Sequence, residues 1–206
     1  MNFPILSSLI LLPVVGSLFL LFSKDKNSNT GKYVALFTSF VNFLISLYLW
    51  YQFDPTTSDF QFVEDREWLK GIINYKIGID GISILFIVLT ALITPLCIIS
   101  VNNTVKDRLR DFLIAILVME SLMIGVFCSL DLVIFYLFFE AGLIPMFLII
   151  GIWGGARRVY SAFKFFLYTL LGSVLMLIAI ISIYWISGTT DITQLYELGI
   201  DTKYQN

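Results

Sequence analysis

Three ionisable side chains lie within long apolar runs of the sequence: Glu120, Glu140 and Lys164. Glu140 falls in the stretch YLFFEAGLIPMF, residues 136–147, where eleven of the twelve residues are uncharged. A charge at the centre of a membrane helix costs roughly 2.5–3.5 kcal/mol on insertion scales, so such residues normally face protein or water. Buried acids and lysines are typical of proton relays, and all three residues are therefore candidates for moving protons.

Glu120 and Glu140 flank a very short connection at residues 129–130, which predicts a tight antiparallel hairpin of two helices. At a rise of 1.5 Å per residue, both carboxyl groups lie ~14 Å from the turn, near the middle of the membrane. If their helix faces meet, the two groups cannot both ionise cheaply and can share one proton. The alternative is that each acid is protonated and forms a structural hydrogen bond between packed helices.

Pro145 follows Glu140 and favours a functional role for that acid. A proline removes a backbone hydrogen bond and kinks the helix, which leaves a carbonyl free for water near the carboxyl group. Lys164 lies near the start of the next apolar run, so its long stem can carry the ammonium group back to the membrane surface. Alternatively, Lys164 faces the helix of Glu140 and stabilises an ionised carboxylate. Helix pitch alone does not decide between these alternatives.

The composition indicates a membrane protein, because 58% of the residues are hydrophobic and only 14% are charged, against roughly 25% charged in a soluble domain. A hydrocarbon core of ~30 Å needs about 20 helical residues to cross it. Apolar runs of about that length occur six times, so the sequence predicts an all-α polytopic membrane protein with six transmembrane helices. The runs cover residues 3–22, 33–53, 80–101, 112–129, 131–153 and 159–187.

Lysine and arginine residues predict the orientation, since they are concentrated in segments 23–32, 102–111 and 154–158. The positive-inside rule places these loops on the cytoplasmic or matrix side and both termini on the outer side. The chain then divides into helices 1–3 over residues 1–111, helices 4–6 over residues 112–187, and a polar tail over residues 188–206 that is expected to be a truncated loop. The longest connection, 54–79, is expected to be an ordered outer-side loop with room for short strands.

Several kinds of site are excluded by residue type. The sequence has no histidine, and its two cysteines, Cys97 and Cys128, lie far apart with none of the spacings typical of zinc or iron–sulfur sites. No glycine-rich phosphate loop follows a strand. With a net charge of −2, the chain also offers no basic surface for nucleic acid. We therefore expect no metal, bound cofactor or redox centre in this chain.

Two stretches resemble a known family. Residues 131–180, DLVIFYLFFEAGLIPMFLIIGIWGGARRVYSAFKFFLYTLLGSVLMLIAI, and residues 75–83, YKIGIDGIS, are similar to the antiporter-like membrane subunit of NADH:quinone oxidoreductase, or respiratory complex I, known as NADH dehydrogenase subunit 4 or chain M. The resemblance implies the N-terminal portion of an antiporter-like fold of about fourteen helices. It also implies that Glu140 is the essential glutamate of helix five, Glu120 the acid of helix four, and Lys164 the lysine early in helix six.

The same resemblance implies a proton-translocating subunit of NADH:ubiquinone reductase in the inner membrane of a bacterium or mitochondrion, with helices 4–6 beginning a proton-translocating repeat. The other membrane subunits of the complex would be its partners, and NADH, FMN, iron–sulfur clusters and quinone would bind to partner subunits. One alternative is a subunit of a multi-subunit sodium/proton antiporter, which shares the block around Glu140. Another is a truncated, non-pumping structural or assembly protein, because family members continue beyond helix six.

Overall fold

Over the residues that the structure describes, the chain forms six long helices, a β-hairpin and one short helix. The structure, a computed structural model, describes residues 4–22, 29–69, 73–101, 105 and 107–198, and for 29, 67–69 and 73 it describes the backbone alone. In chain order the elements are α1 Ile5–Phe22, α2 Asn29–Gln52, β1 Gln61–Leu69, β2 Ile73–Ile79, α3 Ser83–Ser100, α4 Leu109–Cys128, α5 Leu132–Trp153, α6 Arg158–Ser187 and α7 Ile192–Leu198. The first six helices are long and apolar enough to span a membrane, which confirms the predicted number of spans.

Helix α4 lies at the centre of the bundle, packed against α1, α2, α3 and α5. Its core contacts fall into two groups. One group lies near the β-hairpin and includes Leu6, Ile87 and Ile124, and the other lies toward the opposite ends of the helices and includes Leu20, Ile98 and Leu117. Helix α6 packs mainly against α5, so most of its apolar surface is exposed in the isolated chain.

The long connection between α2 and α3 contains an antiparallel hairpin of β1 and β2, in which Asp65 lies opposite Lys76 and Gln61 opposite Ile79. Ile77 and Ile79 point into the core near the end of α4 and are fully buried. The strands therefore do more than cover the bundle, because their side chains form part of the same hydrophobic core as α1, α3 and α4. We call the end of the bundle that carries this hairpin the hairpin side.

The segment after α6 was expected to be a loop, but residues 192–198 form helix α7. Gly188 ends α6 in a left-handed conformation with φ of 74°, and the chain then turns back across the hairpin side. The Leu132 amide donates to the Thr190 carbonyl at 2.9 Å, and the Ile192 amide donates to the Leu130 carbonyl at 2.9 Å. The predicted tail beyond residue 198 lies outside the described residues.

Candidate functional site

Helix α5 carries the first candidate residue, and its hairpin-side end is firmly held. Asp131 caps the helix: its Oδ1 accepts hydrogen bonds from the amides of Val133 at 2.8 Å and Ile134 at 3.2 Å. Its second oxygen, Oδ2, accepts a hydrogen bond from the Thr190 hydroxyl. A side-chain cap satisfies amides that have no partner within the helix, so Asp131 fixes the end from which α5 extends toward Glu140.

Glu140 lies near the middle of α5 and is half-buried. Its Oε2 is buried and has no hydrogen-bond partner among the described residues. Pro145 is buried in the same helix, which continues through it from Leu132 to Trp153. Because proline has no amide hydrogen, the carbonyl of Ala141 receives no helical hydrogen bond from that position. Next to the unpartnered carboxyl oxygen of Glu140, the helix thus also lacks one of its regular backbone hydrogen bonds.

Glu120, on α4, is more deeply buried, with only 2% of its surface exposed. Its Oε1 accepts a hydrogen bond of 2.9 Å from the side-chain amide of Asn42 on α2. The other oxygen of each group, Glu120 Oε2 and Asn42 Oδ1, is buried and has no partner among the described residues. The acid of helix four is therefore held by a neutral amide rather than by a cation.

Asn42 belongs to a buried polar stripe on α2, formed by Thr38, Ser39, Asn42 and Ser46. The three hydroxyl groups donate to carbonyls of their own helix, at Val34, Leu36 and Phe43. Sequence analysis missed Asn42, although a signal is present. Polar residues at positions 38, 39, 42 and 46 recur every three or four residues and so share one helix face, which is the expected pattern for a stripe turned away from lipid.

Glu120 also lines a groove of about 630 Å³ between α3, α4 and α5. Thr90, Thr94, Cys97 and Ser100 follow one face of α3 along this groove, and Met119, Met123 and Met146 form much of the facing wall. The groove reaches Val101, Val105 and Phe112, at the end of the bundle opposite the hairpin side. It thus connects the depth of Glu120 with that end of the helices.

The structure brings together only part of the predicted site. Helices α4 and α5 are in contact, but among the described hydrogen bonds Glu120 is joined to Asn42 and not to Glu140. Lys164 lies on an exposed face of α6 and forms no ion pair among the described residues. No cluster of three or more possible metal ligands occurs in the described parts of the chain.

The six membrane-spanning helices of the described residues, with acids near the middle of α4 and α5, form an antiporter-like membrane fold. Residues 129–205 match the family described as NADH:quinone oxidoreductase/Mrp antiporter, transmembrane, and the chain is a member of this group of membrane subunits. The resemblance predicted from the block around Glu140 is therefore confirmed. The matched segment contains α5 and α6, and with them Glu140, Pro145 and Lys164.

Curated relatives agree with this assignment. The chain is 60% identical over 171 residues to NADH-quinone oxidoreductase subunit M of Rhodobacter capsulatus, covering 83% of this chain and 32% of that protein. It is 49% identical over 189 residues to NADH-ubiquinone oxidoreductase chain 4 of Marchantia polymorpha, covering 91% and 38%. The chain thus spans less than half the length of these relatives. With its six spans, it is an integral protein of an inner membrane, as predicted.

Two solved structures share the fold. A chain of respiratory complex I from Thermus thermophilus with bound NADH superposes with a TM-score of 0.78 at 32% identity, covering 92% of this chain and 38% of that one. A chain of the membrane-bound sulfane sulfur reductase, an archaeal respiratory membrane complex, gives a TM-score of 0.84 at 17% identity, covering 98% and 42%. The second likeness concerns the fold alone.

Proposed function

We propose that this chain is part of the proton-translocating membrane arm of an NADH:quinone oxidoreductase, and that Glu140 accepts and releases the proton. Partner subunits would hold NADH, FMN, the iron–sulfur clusters and quinone, and other membrane subunits of the complex would surround this chain. Residues 112–187 would supply the first helices of the translocating repeat. The proposal is supported by the relatives' names and by the match over residues 129–205.

The observation that carries the proposal is the buried, unpartnered Oε2 of Glu140 in the middle of an apolar helix. A buried polar atom without a partner costs about 1–3 kcal/mol, so its retention calls for an explanation. A water molecule bound to this oxygen would satisfy it. The same water would give Glu140 a donor from which to take a proton and an acceptor to which it can return one.

Proton transfer would be driven by a change in charge around Glu140. A cation that approaches a carboxyl group favours its ionised form, and withdrawal of the cation favours the protonated form. Neighbouring subunits could therefore load and unload Glu140 by moving a positive charge toward it and away again. Glu120, on the adjacent helix, would be a second proton holder, and Lys164 would supply positive charge if α6 turns toward α5.

A sodium/proton antiporter subunit is the second candidate, because the matched family description covers both kinds of protein. The relatives compared above are named as NADH-quinone or NADH-ubiquinone oxidoreductase chains, which favours the first proposal. Co-purification separates the two. A flavin-containing, quinone-reducing assembly supports the oxidoreductase, and isolation without such partners supports the antiporter.

The decisive experiment is the substitution Glu140→Gln in the assembled complex, measured as NADH-driven acidification of membrane vesicles. Glutamine keeps the size of the side chain but cannot take up and release the proton, so proton translocation should fall to the background level. Glu197, an exposed acid on α7, provides the matched control, and Glu197→Gln should translocate normally. Native gel electrophoresis confirms that each variant assembles. Normal translocation by an assembled Glu140→Gln complex would contradict the proposal.

A separate variant tests the role of Lys164. Lys164→Met removes the charge and keeps an apolar stem of similar length. Reduced translocation would place the ammonium group in the proton path, and normal translocation would mean that the lysine serves only to reach the membrane surface.

A further inference from the structure

Two of the three buried side-chain polar atoms without partners in the described residues belong to one hydrogen-bonded pair. They are Glu120 Oε2 and Asn42 Oδ1, and the third is Glu140 Oε2. Asn42 is fully buried and Glu120 is 2% exposed, so bulk water does not satisfy either atom. The pair has one hydrogen bond, from Asn42 Nδ2 to Glu120 Oε1, and two unused acceptors.

The unused atoms are complementary in only one protonation state of Glu120. An ionised carboxylate accepts hydrogen bonds and cannot donate, and the amide oxygen of asparagine is also only an acceptor. A proton on Oε2 converts that atom into a donor, for which Asn42 Oδ1 is the free acceptor on the same pair. Together with the bond from Nδ2 to Oε1, a bond from Oε2–H to Oδ1 would close an acid–amide ring. Both unpartnered acceptors would then be satisfied, and a buried polar atom without a partner is destabilising.

Among the described residues, no cation is paired with Glu120 to balance an ionised form. Helix α1 has no ionisable residue, and the polar partner on α2 is neutral. No described lysine or arginine forms an ion pair with Glu120. The titratable groups of the elements packed on α4 are Lys32, Tyr33, Tyr48 and Tyr51 on α2, Tyr75 and Lys76 on β2, Cys97 on α3, and Tyr136 and Glu140 on α5. A buried carboxylate without a cation is expensive and normally takes up a proton instead.

We propose that Glu120 carries a proton at neutral pH and that Asn42 holds it in an acid–amide ring. Asn42 is then a positioning residue, because it orients the acid without itself taking the proton. To release the proton, the Oε2–H bond breaks, its electron pair stays on Oε2, and the proton passes to a water molecule. The groove between α3, α4 and α5 lies beside Glu120.

The inference deepens the proposed function, on which its role in proton transfer rests, but the ring can be tested without electron transfer. The full chain in lipid nanodiscs at pH 7 is suited to infrared spectroscopy of the carboxylic acid carbonyl stretch. We expect a protonated-acid band that Glu120→Gln removes. Asn42→Leu should shift this band to higher frequency, because the carbonyl loses its hydrogen-bond donor. Ser46→Ala, which alters a buried hydroxyl one turn away on α2, should leave the band in place.

A second measurement covers the case in which Asn42→Leu fails to fold. Glutamine at position 120 can both donate and accept, so Glu120→Gln should keep both bonds to Asn42 and leave the thermal unfolding midpoint within error of the wild type. A large loss of stability in Glu120→Gln would overturn the ring, as would a wild-type spectrum without a Glu120-dependent acid band at pH 7. If the ring is present while Glu140→Gln still translocates protons, the proposed function fails and the inference about Glu120 stands.

Discussion

The ammonium group of Lys76 and the carboxylate of Asp191 lie 2.6 Å apart, although 115 positions separate the two residues in the chain. Lys76 also donates to the Thr193 hydroxyl at 2.7 Å. The pair joins β2 to the segment between α6 and α7, next to the bridge between Asp131 and Asp191. The side chains are 14% and 12% exposed. Most of the pair is therefore removed from water. An ion pair in such a position contributes more to stability than one on an open surface.

Removal of this ion pair should loosen the hairpin side. Lys76→Met leaves Asp191 without its cation, and hydrogen bonds to charged groups contribute about 1.5–3 kcal/mol. We expect a lower midpoint of thermal unfolding, followed by circular dichroism in detergent. Asp59→Asn is the control, because Asp59 is an exposed acid of the same connection between α2 and α3, and its loss changes one charge without breaking a described contact. An unchanged midpoint in Lys76→Met would show that the pair contributes nothing measurable.

Loss of the α5 cap should destabilise the helix that carries Glu140. Asp131→Ala removes the acceptor of the Val133 and Ile134 amides, and loss of such a cap costs about 0.5–2 kcal/mol. Asp131→Asn keeps a capping oxygen and should retain most of the stability. Chemical unfolding of the two variants side by side measures the difference. Equal stability of alanine and asparagine at this position would argue against a capping role.

The contact between α4 and α5 depends on a glycine. A Cβ atom on Gly125 would lie 2.6 Å from the ring of Phe138, which is closer than carbon atoms can approach. Gly125→Ala should therefore force the helices apart and destabilise the protein by about 1–3 kcal/mol, the usual cost of overpacking. Gly142→Ala is the matched control on α5, because nothing lies within 4 Å of its Cβ position. Phe138→Leu should recover part of the loss in the double variant, measured by thermal unfolding.

The protein should lose stability in acid, because two carboxylates outside the membrane spans become protonated. Burial opposes ionisation of Asp191, but hydrogen bonds from Lys76 and Thr193 outweigh it and lower the pKa below the ordinary 3.8. Burial likewise opposes ionisation of Asp80, and hydrogen bonds from Ser83 and the Ile82 amide lower its pKa. A depressed pKa adds stability that is fully present above 3.8 and is lost as the pH falls through the folded-state value.

The thermal unfolding midpoint of the wild type should accordingly decrease as the pH falls below 4. Asp80→Asn and Asp191→Asn should each show a flatter dependence of the midpoint on pH over the same interval. Thermal scans between neutral pH and acid provide the comparison. Parallel curves for the wild type and both variants would contradict the assignment.

Hydropathy was sufficient to predict the six spans, since each predicted run ends within a few residues of an observed helix. The strands of the hairpin could only be suggested, because charged residues such as Glu64 and Arg66 interrupt their apolar pattern. The Glu64 carboxylate accepts hydrogen bonds from the amides of Leu6 and Ser7 at the start of α1, which are distant in the sequence. Such a contact spans more than fifty residues and leaves no local trace in the sequence.

The candidate site likewise depends on a contact between distant residues that the sequence does not reveal. Residue type and depth were sufficient to select Glu120 and Glu140, but spacing along a helix does not fix its rotation about its own axis. The structure turns Glu120 toward Asn42, which precedes it by 78 residues, rather than into a hydrogen bond with Glu140. The polar spacing on α2 was visible in the sequence, and a search for such spacing would have found Asn42.

The polar stripe of α2 has a mechanical consequence. Its hydroxyl groups donate only to carbonyls of their own helix, so these hydrogen bonds do not join α2 to a neighbouring helix. Among the described side chains of α2, Asn42 alone donates a hydrogen bond to another helix. Loss of the Glu120 proton would break the proposed bond from Oε2 to Asn42 Oδ1, but it would strengthen the bond that Asn42 donates to Oε1, because a carboxylate is the stronger acceptor. The amide would therefore keep α2 attached to α4 in both protonation states.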